Sequence, residues 1–187
     1  MRPVTMLVGN RPIGRAYTWA YPYGEAEGLF VMPTYALTVE GTLPSGEHAK
    51  RDFEVFRFGV HCPKNGRPAM VGLAQQQTHV IKSWIPTYTV HSADSPERGA
   101  WQVTGNFLIH DGPDNPLSRD DVYASIGCLE VCGGPLGFDV FNDFIIALSA
   151  PRAGSRDAQL QEIGGAHSIR ITYLAATRPP LQRASAS

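Results

Sequence analysis

Short runs in which apolar and polar residues alternate recur along this chain, and glycine and proline separate them. In the clearest run Ile169, Ile171 and Tyr173 alternate with polar neighbours, and the run 35–40 has the same period. A period of two is typical of β-strands with one buried face. The 19 glycines and 15 prolines among 187 residues supply many turns between such strands. The sequence therefore predicts a mainly β fold.

Further strands are predicted where β-branched and aromatic residues are concentrated. They cover residues 78–85, 87–91, 101–104 and 106–110. Between residues 53 and 60 the apolar residues change phase, because Phe53 and Val55 are in one phase while Phe56, Phe58 and Val60 are in the other. This slip predicts a β-bulge.

Helical spacing is found only late in the chain. Apolar residues recur at intervals of three and four over 138–148, with Asp139 as the expected N-cap and Pro151 ending the helix. A second short helix is predicted over 156–163, ended by Gly164. The expected architecture is a β core with one or two peripheral helices.

Length and charge restrict the function classes. A chain of 187 residues suits one domain, predicted over 1–177, with a polar, proline-bearing and flexible tail over 178–187. The net charge of -1 gives no reason to expect a nucleic-acid partner. No apolar run approaches the ~18 residues that a membrane span needs.

The N-terminal segment carries one early positive charge and no continuous apolar stretch, so it does not predict a signal peptide. The expectation is either that the chain stays inside the cell or that it leaves by a route that reads no cleavable leader.

The chain has three cysteines, Cys62, Cys128 and Cys132. An odd number cannot form a fully paired disulfide framework, and the Cys-x-x-x-Cys spacing without a second pair is a poor zinc signal. We therefore expect free thiols, no metal and no cofactor, and one of the three thiols is a candidate nucleophile.

The strongest chemical signal is a histidine followed eighteen residues later by a cysteine, in the frame Phe107-Leu108-Ile109-His110-Asp111-Gly112 and Ser125-Ile126-Gly127-Cys128. A catalytic thiol needs a neighbour that removes its proton, and imidazole suits this task near neutrality. Gly127 allows a tight turn that brings backbone N–H groups close to a substrate carbonyl. The alternative is that Cys128 is a small buried apolar residue.

This frame resembles the catalytic signature of the L,D-transpeptidase (YkuD-like) family, over roughly residues 87–148. In that signature a histidine with a nearby glycine precedes Ser/Thr, a variable residue, glycine and cysteine. The resemblance implies a mixed β-sandwich or sheet core. It also implies cysteine attack on the L-to-D peptide bond of a peptidoglycan stem peptide. The thioacyl intermediate would pass to an amine, as in a transpeptidase, or to water, as in an L,D-carboxypeptidase.

The resemblance assigns roles residue by residue. His110 corresponds to the general base, Cys128 to the nucleophile and Gly127 to the glycine before it. Ser125 matches the Ser/Thr position and Gly112 the nearby glycine, and both are expected at the substrate.

Two residues depart from the family pattern. Ile126 stands where many members have histidine, and Glu130 stands where arginine or asparagine is common, which changes the local charge and implies different donor recognition. Two further residues are candidates from their position alone. Asp111 could orient the imidazole or point away from it, and Arg98 could bind a stem-peptide carboxylate or lie in solvent.

Other functions remain open at this point. A papain-like or NlpC/P60-like peptidase or amidase would place Cys128 at a helix N-terminus and use the downstream His167. A non-catalytic cell-wall binding module of the same fold would keep the frame and lack the chemistry.

The family is mostly exported, and some bacterial antagonism effectors that resemble it lack signal peptides. The expected setting is therefore the periplasm or outside the cell, reached as an antibacterial toxin by leaderless secretion, with an immunity protein or the secretion apparatus as partner.

Overall fold

The computed structural model describes residues 1–92, 96–133 and 137–185, and it is mainly β. The strands are β1 Val4–Tyr21, β2 Gly24–Thr42, β3 His48–Phe56, β4 Phe58–His61, β5 Ala69–Gly72, β6 Gln77–Ile85, β7 Ala100–Val103, β8 Phe107–Asp111, β9 Tyr123–Ala124, β10 Leu129–Val131, β11 Ile169–Tyr173 and β12 Gln182–Arg183. The two helices are α1 Phe138–Ser149 and α2 Arg156–Gly165.

The strands form one sheet that closes on itself. Its order is β12-β2-β3-β10-β8-β7-β6-β11-β1-β4-β5, and β1 also pairs with β2, which joins the two ends of an eight-stranded ring. β4 and β5 extend the sheet beyond this ring, and β9 pairs with β1. Two parallel pairs matter for the site, because β10 lies beside β8 and β11 lies beside β1.

The core follows from the alternation in the strands. Val4, Met6 and Val8 of β1 and Ile169 and Ile171 of β11 all point into one apolar cluster. Helix α1 covers part of this cluster with the apolar residues that the helical spacing predicted, Phe138, Phe141, Ile145 and Leu148. The buried indole N–H of Trp101 on β7 donates to Asn142 Oδ1 of this helix at 2.8 Å, so the contact between helix and sheet is also polar.

Some predicted elements are present and others are not. Strands lie where 78–85, 101–104, 106–110 and the run around Ile171 predicted them. The predicted strand 87–91 is wrong, because Pro86 and Thr87 form a turn in which the Tyr88 N–H donates to the Ile85 carbonyl at 3.3 Å.

The phase change near Phe56 is a break between two strands and not a bulge. β3 ends at Phe56 and β4 begins at Phe58, with the buried Arg57 between them. Its guanidinium donates to the carbonyls of Gly9, Leu73 and Leu174 at 2.7 to 2.9 Å. The chain thus changes strand partners at a residue that fixes three neighbouring segments.

Two details at the helices and the C-terminus also differ from expectation. Helix α1 is capped by the backbone of Gly137, and Asp139 lies in its first turn instead of capping it. The segment predicted as a flexible tail is docked, since β12 pairs with β2 and the Arg119 guanidinium donates to the Ser185 carbonyl at 2.7 Å. Residues 186–187 of that segment lie outside the described residues. Within the described ranges, no helix is long and apolar enough to span a membrane.

Candidate active site

The pairing of β10 with β8 brings the histidine and the cysteine of the sequence frame to one side of the sheet. Leu129 is in register with Ile109, and Glu130 is in register with His110. Side chains alternate between faces, so Cys128, immediately before β10, shares the face of Glu130 and His110. The backbone of Leu108, on β8, forms a hydrogen bond to the Cys128 thiol and lowers its pKa. This bond agrees with a position of the thiol beside β8.

The turn that carries Cys128 is held by close backbone packing. Gly127 has φ +97°, a conformation that other residues rarely adopt. A Cβ at Gly127 would lie 2.7 Å from the Cα of Gly72, and a Cβ at Gly59 would lie 2.1 Å from the Ser125 carbonyl oxygen. The turn therefore rests on the β4–β5 hairpin with no room for a side chain at any of these contacts.

His110 is buried, and its ring orientation is fixed by the backbone. Its Nδ1 lies 2.8 Å from the Asp111 carbonyl oxygen, which can only accept, so Nδ1 carries the hydrogen and Nε2 is left as the basic nitrogen. Burial lowers the pKa of His110 to about 4, although the bond to Asp111 opposes this shift. At neutral pH the imidazole is therefore an uncharged base.

Tyr88 packs beside this imidazole. The two ring centroids are 5.4 Å apart with the planes tilted by 34°. Burial, together with smaller contributions from the charges of Cys128, Glu130 and Tyr21, raises the pKa of the Tyr88 phenol to about 12. Tyr88 thus contacts His110 and lies within electrostatic range of Cys128. This agrees with the placement of His110 and Cys128 on one side of the sheet.

Cys128 is the one partly accessible thiol among three free cysteines, since Cys62 and Cys132 are buried. Burial of much of its sulfur raises the pKa of Cys128 to about 11, a shift that the Leu108 backbone opposes and the charge of Glu130 increases. Sulfur and imidazole are therefore both neutral at rest. Thiolate formation has to be coupled to proton transfer.

Glu130 occupies a different environment from the one expected of a substrate contact. Its side chain is fully buried. Burial raises the pKa of its carboxyl well above the ordinary value, and the charge of Asp111 adds to the shift while Ser125 opposes it. Burial thus keeps this carboxyl away from a substrate and disfavours the negative charge that the sequence predicted at this position.

Three other candidate substrate contacts also lie in the interior. Asp111 accepts from the Tyr123 hydroxyl and from the Glu97 N–H, both at 2.8 Å, so its carboxylate holds the flanking segments and does not orient the imidazole. Burial raises the pKa of Asp111 to about 6. The Gly112 N–H donates to the Val131 carbonyl at 2.9 Å and closes the end of the β8–β10 ladder.

Ser125 supports the turn from inside. It is buried, accepts from the Gly127 N–H at 3.1 Å and donates to the Cys128 carbonyl at 3.3 Å. The Gly127 amide expected to face a substrate carbonyl is therefore already bonded within the turn.

Two candidates are at the surface. Ile126 is 50% exposed and lies in the turn two residues before Cys128. Arg98 is exposed two residues before Ala100, which is in register with His110. Both can be reached by a ligand that approaches this end of the sheet.

The peptidase arrangement with a helical nucleophile does not match this geometry. Cys128 precedes the strand β10, and His167 is exposed after α2. In the described ranges no group of three or more His, Cys, Asp or Glu side chains could hold a metal ion. Comparisons with family models, curated proteins and solved structures each found no match to this chain.

The residues that support the site from elsewhere in the chain could not be predicted from the motif. Gly59 and Gly72 lie far from it in sequence and carry no local signal. Tyr88 lies in the segment 87–91 that was predicted as a strand, and no sequence pattern marks it as a neighbour of His110. Tyr123 lies in β9 beside β1, where the Thr18 hydroxyl donates to its carbonyl at 2.8 Å and anchors the segment before Ser125.

Proposed function

We propose that this protein is a cysteine-dependent acyltransferase of the L,D-transpeptidase type that acts on peptidoglycan stem peptides. The observation that carries the proposal is the register of β10 on β8, which pairs Glu130 with His110 and brings Cys128, the residue before β10, to the strand that carries His110. The basic Nε2 of a fixed, neutral imidazole and one partly accessible thiol are the two groups that acyl transfer needs.

The reaction begins when the substrate carbonyl reaches the sulfur. The Cys128 proton moves to His110 Nε2 as the sulfur attacks the carbonyl carbon, and the carbonyl π electrons move to oxygen. The tetrahedral intermediate collapses, the peptide C–N bond breaks, and the leaving amine takes the proton from His110. A thioester remains, and an acceptor amine or water then releases the acyl group by the same steps in reverse.

The neutral resting state supports concerted proton transfer. With a thiol pKa of about 11 and an imidazole pKa of about 4, a preformed thiolate–imidazolium pair is not populated. Substrate binding has to displace water and bring the carbonyl to the sulfur before the proton moves. The chemistry is thereby restricted to bound acyl donors.

The test is to incubate the purified chain with tetrapeptide and pentapeptide muropeptides and to measure product masses. Loss of the terminal D-Ala identifies carboxypeptidase activity, and exchange for an added D-amino acid identifies transpeptidase activity. A thioester adduct on the wild type that is absent in Cys128→Ala, with activity retained by Cys62→Ala, supports the assignment. Unchanged muropeptides and no adduct on any stem would contradict it.

The proposed substrate lies outside the cytoplasmic membrane, so the proposed site of action is the periplasm, and delivery into a rival cell would make the protein a toxin. Expression with a periplasmic leader should stop growth for the wild type, while Cys128→Ala and the same wild-type chain kept in the cytoplasm should be harmless. Equal growth of all three strains would argue against this setting.

A second candidate, a cell-wall binding module without turnover, is favoured by the raised pKa of Cys128 and by the exposed Ile126. It predicts that the wild type and Cys128→Ala sediment equally with purified peptidoglycan and that no product forms. Turnover by the wild type excludes it.

A further inference from the structure

Glu130 is the most unusual charged residue of the described chain. It is in register with His110 on one side and with Phe56 of β3 on the other, and its side chain has no exposed surface. Among the described residues, neither carboxyl oxygen has a partner within hydrogen-bond geometry. The Ser125 hydroxyl lies close enough to lower the pKa of the carboxyl, but it donates to the Cys128 carbonyl at 3.3 Å.

The groups around Glu130 offer no compensation for a negative charge. On β8 its register partner is His110, the charge of the next residue Asp111 also acts on it, and across the site it acts on the Tyr88 phenol. On its own segment it acts on Cys128 and Cys132, and the position beside it on β3 is the apolar Phe56. No Arg or Lys is among the described groups that act on it. A buried and unpaired carboxylate costs several kcal/mol, whereas a carboxylic acid costs far less.

We infer that Glu130 is a positioning residue that works in its protonated form. Its neutral carboxyl fills the space beside His110 and keeps the imidazole a free base. Ionisation of this carboxyl stops the reaction. The inference rests on the proposed use of His110 and Cys128 as base and nucleophile. It assigns Glu130 neither to the substrate nor to a charged triad.

The effect of ionisation follows from the same geometry. An anion at Glu130 raises the proton affinity of Cys128, its neighbour on the same face, and so opposes formation of the thiolate. It also attracts a proton to the adjacent imidazole, which then no longer accepts one from sulfur. The protein is therefore active while the acid holds its proton and loses activity as the pH rises through the ionisation of Glu130.

The first measurement needs no substrate. The infrared difference spectrum of the wild type against Glu130→Gln at pH 7 should contain the band of a protonated carboxyl. The control is the difference spectrum of the wild type against Glu47→Gln, which should contain a carboxylate band because Glu47 is exposed. Iodoacetamide alkylation of Cys128 at pH 7 should agree between the wild type and Glu130→Gln within about twofold, because one neutral group replaces another. A carboxylate band at Glu130, or alkylation about tenfold faster in Glu130→Gln, would overturn the inference.

The second measurement is the pH profile of turnover. Glu130→Gln should keep turnover at pH 7 within about threefold and lack the alkaline decline of the wild type, whereas Glu130→Ala, which leaves a void beside the imidazole, should lower kcat at least about tenfold. A charged triad acid predicts instead a loss of about 10⁴-fold on amide substitution. That loss, or an alkaline decline unchanged in Glu130→Gln, would contradict the inference. If no stem peptide is turned over by the wild type, the proposed function fails, and the infrared and alkylation results still decide the state of Glu130.

Discussion

A methyl group on Gly59 would test how the turn that carries Cys128 is held in place. A Cβ there would lie 2.1 Å from the Ser125 carbonyl oxygen and 2.9 Å from the Gly127 amide nitrogen. Ordinary contact begins at 3.4 Å, so the turn has to move by the difference between 3.4 and 2.1 Å, about 1.3 Å, if β4 stays in place. A displacement of roughly 1 Å in a reacting group costs on the order of 100-fold in rate. An added methyl in a packed interior also costs about 1–3 kcal/mol of stability.

Gly59→Ala should therefore lower kcat/KM for stem-peptide turnover about 100-fold, equivalent to about 2.7 kcal/mol, while the chain remains folded. Gly154→Ala is the matched control, since a Cβ at Gly154 would contact nothing within 4 Å. Turnover, circular dichroism and Tm should be measured on the three proteins together. Wild-type turnover in Gly59→Ala, with a Tm equal to that of the control, would refute the close packing of the turn on β4.

Three further predictions follow from buried groups near the site. Because burial lowers the pKa of His110 from 6.5 to about 4, the unfolded chain binds one more proton between these values. The wild type should therefore lose about 3 kcal/mol more unfolding free energy than His110→Gln between pH 7 and pH 4 in urea titrations, and equal losses would contradict this. Tyr88→Phe keeps the ring on the imidazole and should retain most turnover, whereas Tyr88→Ala should lose five- to tenfold, about 1 kcal/mol; equal rates in the two variants would contradict a packing role. Arg57→Leu leaves three carbonyls without their donor and should lower the unfolding free energy by about 3–5 kcal/mol, which a near-normal Tm would disprove.

Strands with strong alternation and helices with clear spacing could be predicted from the sequence, and the long N-terminal hairpin could not. β1 and β2 contain Pro12 and Pro33, residues that argue against a regular strand. The structure accommodates Pro12 with irregular pairing, because the register of β1 on β2 shifts on both sides of it, whereas Pro33 pairs with Arg15 in regular register. Such shifts depend on the partner strand, so no local pattern reveals them.

The approach of Cys128 to the strand of His110 could be predicted, because the motif lies on β8 and directly before its neighbour β10. The environment of Glu130 could not be predicted in the same way. In Leu129-Glu130-Val131 the alternation places Glu130 opposite two apolar residues, which in an antiparallel sheet would mean the solvent face. β10, however, is a central strand between β8 and β3, and central strands beside a parallel partner are often covered on both faces.

The same topology explains why acidic side chains near His110 do not act as its charged partner. Asp111 follows His110 and points to the opposite face, where Tyr123 and the Glu97 backbone hold its carboxylate. Glu130 shares the face of His110 but is buried, and among the described groups its oxygens have no hydrogen-bond partner and no Arg or Lys acts on it. The Nδ1–H of His110 therefore donates to the Asp111 carbonyl, which fixes the imidazole ring without adding a charge. Burial thus favours the neutral forms of both sulfur and imidazole. In the proposed mechanism this neutral pair persists until an acyl donor binds, unlike the thiolate that other cysteine enzymes hold at rest.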